Sequence, residues 1–129
     1  MKNAYVFRKH YTLEQARSLL PQVRRWLEAL DALRLKLLKL ELRIAPLMEH
    51  GDDIGGAAVN DWIRAMAEVR AVLMEFECRE IQLKDVERGL VDFPAILGGK
   101  EVFLCWEKDE EDIELWHDLD AGYAGRERL

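Results

Sequence analysis

Between residues 83 and 126 the chain gathers the side chains that do chemistry: Asp85, Glu87, Asp92, Cys105, Trp106, Trp116, His117, Asp118, Asp120 and Arg126. Zinc and iron take His, Cys and carboxylate ligands. Here one His and one Cys stand among the carboxylates, with no CxxC, HxH or HExxH spacing to pair them. Hairpin register decides whether they meet. Pairing Trp106 with Ile113 sends Cys105 and His117 to opposite faces of a sheet. Pairing Glu107 with Ile113 puts them on the same face, nearly in contact. The sequence leaves both registers open. A nucleophilic thiol would need its pKa lowered by His117 or by a helix N-terminus. Cys105 instead lies between Leu104 and Trp106, a strand position that suits a buried, inert thiol. The segment GYAGR has glycines but lacks the strand and helix that make a phosphate loop.

These residues define the expected site. A ligand or partner pocket would be lined by Asp92, Trp106, Trp116, His117 and Arg126, because polar groups beside aromatic walls are the usual makings of one. The competing expectation is a hydrogen-bond and ion-pair network that closes the tail, with Arg126 pairing Asp92, Asp118 or Asp120. No cofactor is expected and no catalytic residue is assigned. No metal is expected either; Cys105, His117 and Asp118 come nearest to a ligand set.

The elements that must hold these groups are legible from periodicity. Thr12 and Gln15 fit a capping box that starts a helix. Pro21 predicts a kink or restart. Apolar residues then recur at Val23, Trp26, Leu30, Leu33, Leu37, Leu40, Ile44 and Leu47, alternating steps of three and four as in a coiled-coil seam. Pro46 and His50-Gly51 end the run. A second stripe, Leu35, Leu38 and Leu42, needs another surface to cover it, either the β-rich segment or a second chain. GDDIGG, residues 51–56, reads as the turn into a second helix capped by Asn60 or Asp61. Its seam is Val59, Trp62, Met66, Val69, Leu73 and Phe76, and Glu80 breaks it. Glu80 either turns outward or points into the site.

From Ile81 the period becomes strand-like. Arg88-Gly89 and Gly98-Gly99 predict turns, Leu90–Pro94 an extended run, and Glu101–Trp106 and Ile113–His117 a hairpin around the charged loop KDEED. The tail from Asp120 reads as loop. The expected fold is therefore α+β in one domain: a long antiparallel helical hairpin (residues 13–80, helices near 13–49 and 59–80), then a small antiparallel sheet within 81–129.

Composition bounds the rest. At 129 residues, with 50% hydrophobic and 34% charged side chains, the chain suits one ordered domain. No apolar run approaches the ~20 residues that cross a bilayer, and the start has no signal-peptide core. Two cysteines are too few for a disulfide framework, which fits a cytoplasmic setting. The net charge of -6 disfavours nucleic acid. It is unevenly spread. Residues 1–48 carry 10 Lys/Arg against 4 Asp/Glu, and the remainder carries 9 against 21. The two parts are expected to lie side by side and neutralise one another, within a chain or across a dimer; the alternative is a basic helix that meets an anionic polymer, which the acidic remainder would repel.

Four segments, TLEQARSLLPQVR (12–24), LKDVERGLVDFPA (83–95), VFLCW (102–106) and WHDLDAGYAGR (116–126), resemble in this order those of the bacterial domain-of-unknown-function family 2203. Tyr123 stands where the family typically has Phe. Arg79-Glu80 stands where a helix-ending glycine is typical, so the second helix is expected to run on. The resemblance implies the architecture and supplies no reaction, cofactor or catalytic residue. The function expected from all this is a non-enzymatic interaction module that forms a homodimer through its helical arm, with a possible protein partner. The alternative is a small metal- or ligand-binding protein, possibly hydrolytic, that uses His117 with nearby carboxylates or Cys105.

Overall fold

The computed structural model describes residues 4–49 and 56–129. His50 and the expected 51–56 turn, apart from Gly56, lie outside the described residues. Helix α1 spans Leu13–Glu49, about 55 Å at ~1.5 Å per residue. Its capping box forms in both directions: the Gln15 N–H donates to Thr12 Oγ1 at 3.1 Å and the Thr12 N–H to Gln15 Oε1 at 3.0 Å. The helix does not restart at Pro21 and also includes Pro46. Pro21 stands on the exposed face, where water can satisfy the carbonyl its missing N–H leaves free. Leu20 and Val23 on either side are buried and hold the helix to the core.

Helix α2, Ala57–Glu77, starts directly after Gly56 and ahead of the expected caps Asn60 and Asp61. It lies along α1 in the opposite direction, since Trp26 stacks edge-on against Phe76 at 5.1 Å while Trp62 Nε1 reaches Glu41 at 3.4 Å. It also ends without a glycine, earlier than expected. Glu80 takes the left-handed conformation (φ 57), the Ile81 N–H donates to the Phe76 carbonyl and the Glu80 N–H to the Glu77 carbonyl. That is a Schellman stop, normally built on glycine. Left-handed backbone costs a non-glycine residue roughly 1–2 kcal/mol. The Glu80 carboxylate offsets this by accepting the Arg8 and Lys9 backbone N–H groups at 2.9 and 2.7 Å. Glu80 thus turns toward the N-terminal segment.

Five antiparallel strands follow in simple meander order: β1 Gln82–Asp85, β2 Leu90–Leu97, β3 Lys100–Glu107, β4 Leu115–Asp118 and β5 Glu127–Arg128. The fourth is shorter than expected, because Ile113 leaves the ladder to join the core. The tail, read as loop, contributes β5 against β4. Pro94 is tolerated inside β2 because β1 pairs only with residues 90–92. At Pro94 the open side meets Tyr11, whose N–H donates to the Pro94 carbonyl at 2.7 Å. No β1 donor or acceptor faces the ring.

One face of the sheet builds the core: Val91, Phe93, Ala95, Val102, Leu104 and Trp106 pack with Ala16, Val23, Trp26 and Phe76 of the helices. Ion pairs Arg17–Asp112 and Arg34–Glu87 join the basic first helix to the acidic remainder. Both are exposed and stabilise little.

The Gly98-Gly99 hairpin, with φ of +59° and +80°, fixes Leu97 opposite Lys100 and so Asp92 opposite Cys105. A Cβ at Gly99 would meet no atom within 4 Å, so a substitution there tests backbone strain alone. Gly99→Val is expected to lower stability by roughly 1–2 kcal/mol and Gly99→Asn by less, read from urea unfolding midpoints.

Candidate functional site

The β3–β4 register answers the question the sequence left open. Cys105 pairs with Leu115 and Phe103 with His117. This is the register that continues to Glu107 opposite Ile113, and it places Cys105 and His117 on one face. Three hydrogen bonds hold the connecting loop in place. Trp106 Nε1 donates to the Glu110 carbonyl at 3.0 Å, and the Arg24 guanidinium donates to the carbonyls of Lys108 and Glu110 at 2.9 Å each. Arg24 also lies 4.8 Å over the Trp106 ring. The first helix thus clamps the loop.

On the sheet face turned away from the helices, Asp92, Cys105 and His117 converge. All three are buried, and one ligand-type atom from each falls within 4.8 Å of the others. His117 Nε2 lies 3.0 Å from Asp92 Oδ2, and Nδ1 lies 2.8 Å from the Asp118 carbonyl oxygen. A carbonyl only accepts, so Nδ1 carries a proton. The contact between Nε2 and Oδ2 then holds one more, on either partner. The other Asp92 oxygen, Oδ1, is buried with no hydrogen-bond partner among the described residues. The adjacent Cys105 thiol is only a weak donor. Burial raises the Asp92 pKa above the ordinary carboxylate range, with His117, Cys105 and Lys84 pulling it back. Burial also pushes the Cys105 thiol up to about 12, with Asp92 adding to the rise and Arg126 opposing it. A thiol held there stays protonated at neutral pH and is no nucleophile.

The three groups open onto a cavity of about 290 Å³, walled by Phe103, Leu119, Ala121 and Tyr123, with Lys84 and Asp120 at its polar side. The expected pocket is therefore split by the sheet. Asp92 and His117 line it, but Trp106 and Trp116 pack on the helix side, because odd and even residues of a strand face opposite ways. Arg126 meets neither Asp92, Asp118 nor Asp120. It stacks on Tyr123 at 3.8 Å and reaches Glu110 at 3.7 Å and the Cys105 sulfur at 3.9 Å. The Asp118 side chain turns to Lys100 at 2.8 Å. Its backbone carbonyl serves the site instead. Asp85 accepts the Arg88 N–H, and Glu87 pairs with Arg34. Neither approaches the cluster.

Sequence reasoning missed two features. Lys84 joins the site because it shares the outer face with Gln82, which pairs with Asp92. The alternation of Ile81, Leu83 with Gln82, Lys84 carried that signal. The second feature is the N-terminal strap, which no local pattern announces. Glu101 accepts the Val6 and Phe7 N–H groups at 2.8 and 3.0 Å and contacts His10 Nε2 at 2.8 Å. Glu80 holds the next two amides. Phe7 then rests on Phe103, at 5.4 Å between rings, and Phe103 rests on His117 at the same separation.

An α+β domain with a polar cluster on the outer face of a small meander sheet is what the geometry defines. The family model described as "Uncharacterized conserved protein (DUF2203)" matches residues 9–129, and the chain belongs to that family. No curated protein and no solved structure matches it. Among the described residues no helix is long and apolar enough to cross a membrane.

The strap gives a signed pH prediction. Burial would raise the Glu101 pKa, but His10 and the Phe7 and Val6 N–H groups hold it below the ordinary 4.5. A lowered folded pKa stabilises fully above the unfolded value and loses that contribution as pH falls through the folded one. Urea midpoints measured from pH 6 down to pH 3 are expected to fall more steeply for the natural chain than for Glu101→Gln.

Proposed function

We propose that this protein is a small metal- or ligand-binding protein and that its binding site is the outer-face cavity around Asp92, Cys105 and His117. One observation carries the reading: a buried carboxylate has one oxygen on His117, and the other, Oδ1, meets no donor stronger than the neighbouring Cys105 thiol. An unsatisfied buried polar atom costs about 1–3 kcal/mol. Ion pairs in such places are often no better than apolar replacements. Folding is a poor reason for the arrangement, whereas binding a guest that addresses Oδ1, His117 and the sulfur is a good one. Two free thiols, Cys78 and Cys105, suit a reducing cytoplasmic setting. The protonated Cys105 thiol speaks against acyl or disulfide chemistry there.

The test separates binding from folding. Asp92→Asn keeps the shape and can still donate to a neutral His117 Nε2 while removing the buried charge. It is expected to leave stability unchanged or raise it by about 1–2 kcal/mol in urea unfolding. A loss of about 3 kcal/mol or more would show that the pair is there to hold the tail, and would end the binding reading.

A second reading concerns the helical arm. Leu35, Leu38 and Leu42 are 56%, 53% and 67% exposed. They follow one another on a single stripe of α1 that neither α2 nor the sheet covers. Ile44, Met48 and Trp62 line an apolar hollow at the distal part of the arm. A second copy of the chain, extending the heptad seam into a coiled-coil-like dimer, would bury that stripe. Sedimentation equilibrium at high micromolar concentration is expected to give a dimer that Leu38→Lys returns to monomer. A monomeric natural chain under those conditions would rule the dimer out.

A further inference from the structure

We infer that the guest of this cavity is one divalent transition-metal ion of the zinc class, held by Asp92, Cys105 Sγ and His117 Nε2. The inference rests on the binding reading above and names its ligand. The donor set comes first. A thiolate, an imidazole and a carboxylate together are the ligands of zinc and its neighbours. Calcium and magnesium need more oxygens than one carboxylate supplies.

Geometry comes second. The three donor atoms already lie within 4.8 Å of one another, and donors around one tetrahedral zinc stand roughly 3.3–3.7 Å apart. Opening the 3.0 Å contact between His117 and Asp92 by a few tenths of an ångström and drawing in the sulfur would complete three corners. The fourth corner faces the cavity, which leaves room for a water or a small ligand, as in open rather than closed zinc sites.

The surroundings are those of a metal ligand set. His117 donates Nδ1–H to the Asp118 carbonyl at 2.8 Å. That contact fixes the tautomer and leaves Nε2 free to ligate, the usual outer-shell support of a metal-bound histidine. Charge also balances. On binding, the proton between Asp92 and His117 and the Cys105 thiol proton both leave to solvent. A carboxylate, a thiolate and a neutral imidazole then surround a divalent cation with no net charge, the state a buried site favours. Arg126, 3.9 Å from the sulfur, can donate to the thiolate once it forms.

Cobalt reports the site directly. The full chain carrying Cys78→Ser, with no affinity tag, leaves Cys105 as the sole thiol. Cobalt(II) titration of that protein is expected to saturate at one equivalent. It should develop the visible bands of tetrahedral cobalt and a near-ultraviolet thiolate-to-cobalt absorption, all of which zinc displaces. Adding Cys105→Ser should remove the thiolate band, and His117→Gln should weaken binding at least about tenfold. A site variant that fails to fold is bypassed by nitrogen NMR of the Cys78→Ser protein. There zinc should move the His117 Nε2 resonance and leave Nδ1 protonated. Absence of saturable binding, a thiolate band that survives Cys105→Ser, or an unmoved Nε2 resonance would overturn the assignment. If Asp92→Asn is meanwhile as stable as the natural chain, only the metal is wrong. If that variant is strongly destabilised, the pocket reading falls with it.

Discussion

Strand parity is the constraint on which this molecule depends. In a meander of short strands, a shift of one residue between β3 and β4 exchanges the faces of every side chain on β4. His117 would then face the helices and Trp116 the solvent side. The observed register packs a partly buried Trp116 against the core and delivers His117 to Cys105 and Asp92. The strand ladder alone does not select it. The selection comes from outside the sheet, where Arg24 on the first helix and the Trp106 indole hold the 108–114 loop, and Ile113 is drawn into the core. The helical arm is thus more than a spacer. It sets the phase of the strand that carries the site.

The two faces of the sheet obey different energetics. The helix face is apolar and closed, with Val91, Phe93 and Trp106 wholly buried, and it accounts for the fold by ordinary burial. The outer face buries a carboxylate, a thiol and an imidazole, yet gives one carboxylate oxygen no donor stronger than the thiol among the described residues. Such a cluster contributes little to stability or subtracts from it. It is held in place by structure built elsewhere. The strap from the N-terminus covers it through Phe7 on Phe103, and the tail covers it through Tyr123, which lies between Arg88 and Arg126. Stability is supplied on the helix side of the sheet and drawn on at the outer face.

Much of this was legible in the residues. The capping box at Thr12 and Gln15, the bounds of the first helix and the switch of period at Ile81 follow from local chemistry, and the structure has all of them. The same alternation that identifies strands would also have separated Trp106 and Trp116 from Asp92 and His117, had it been applied across β2, β3 and β4 together. A pocket drawn from nearness in sequence overlooked it. Pro21 does not restart the helix, because it stands on the exposed face where water can satisfy the carbonyl it leaves free. Glu80 misled because a side chain can replace a glycine when its carboxylate finds two backbone N–H groups 71 and 72 residues away. Register, the strap and the contacts of Arg126 with Glu110 and Cys105 are long-range facts. No window of neighbouring residues contains them.

The outer-face cluster exists only if His117 shares that face with Asp92 and Cys105. Proton–proton nuclear Overhauser effects from the His117 ring test that placement directly. The expected pattern runs to the Cβ protons of Asp92 and Cys105 and to the ring of Phe103. Effects running instead to Leu104, Trp106 or the side chains of the first helix would put His117 on the core face and contradict the account.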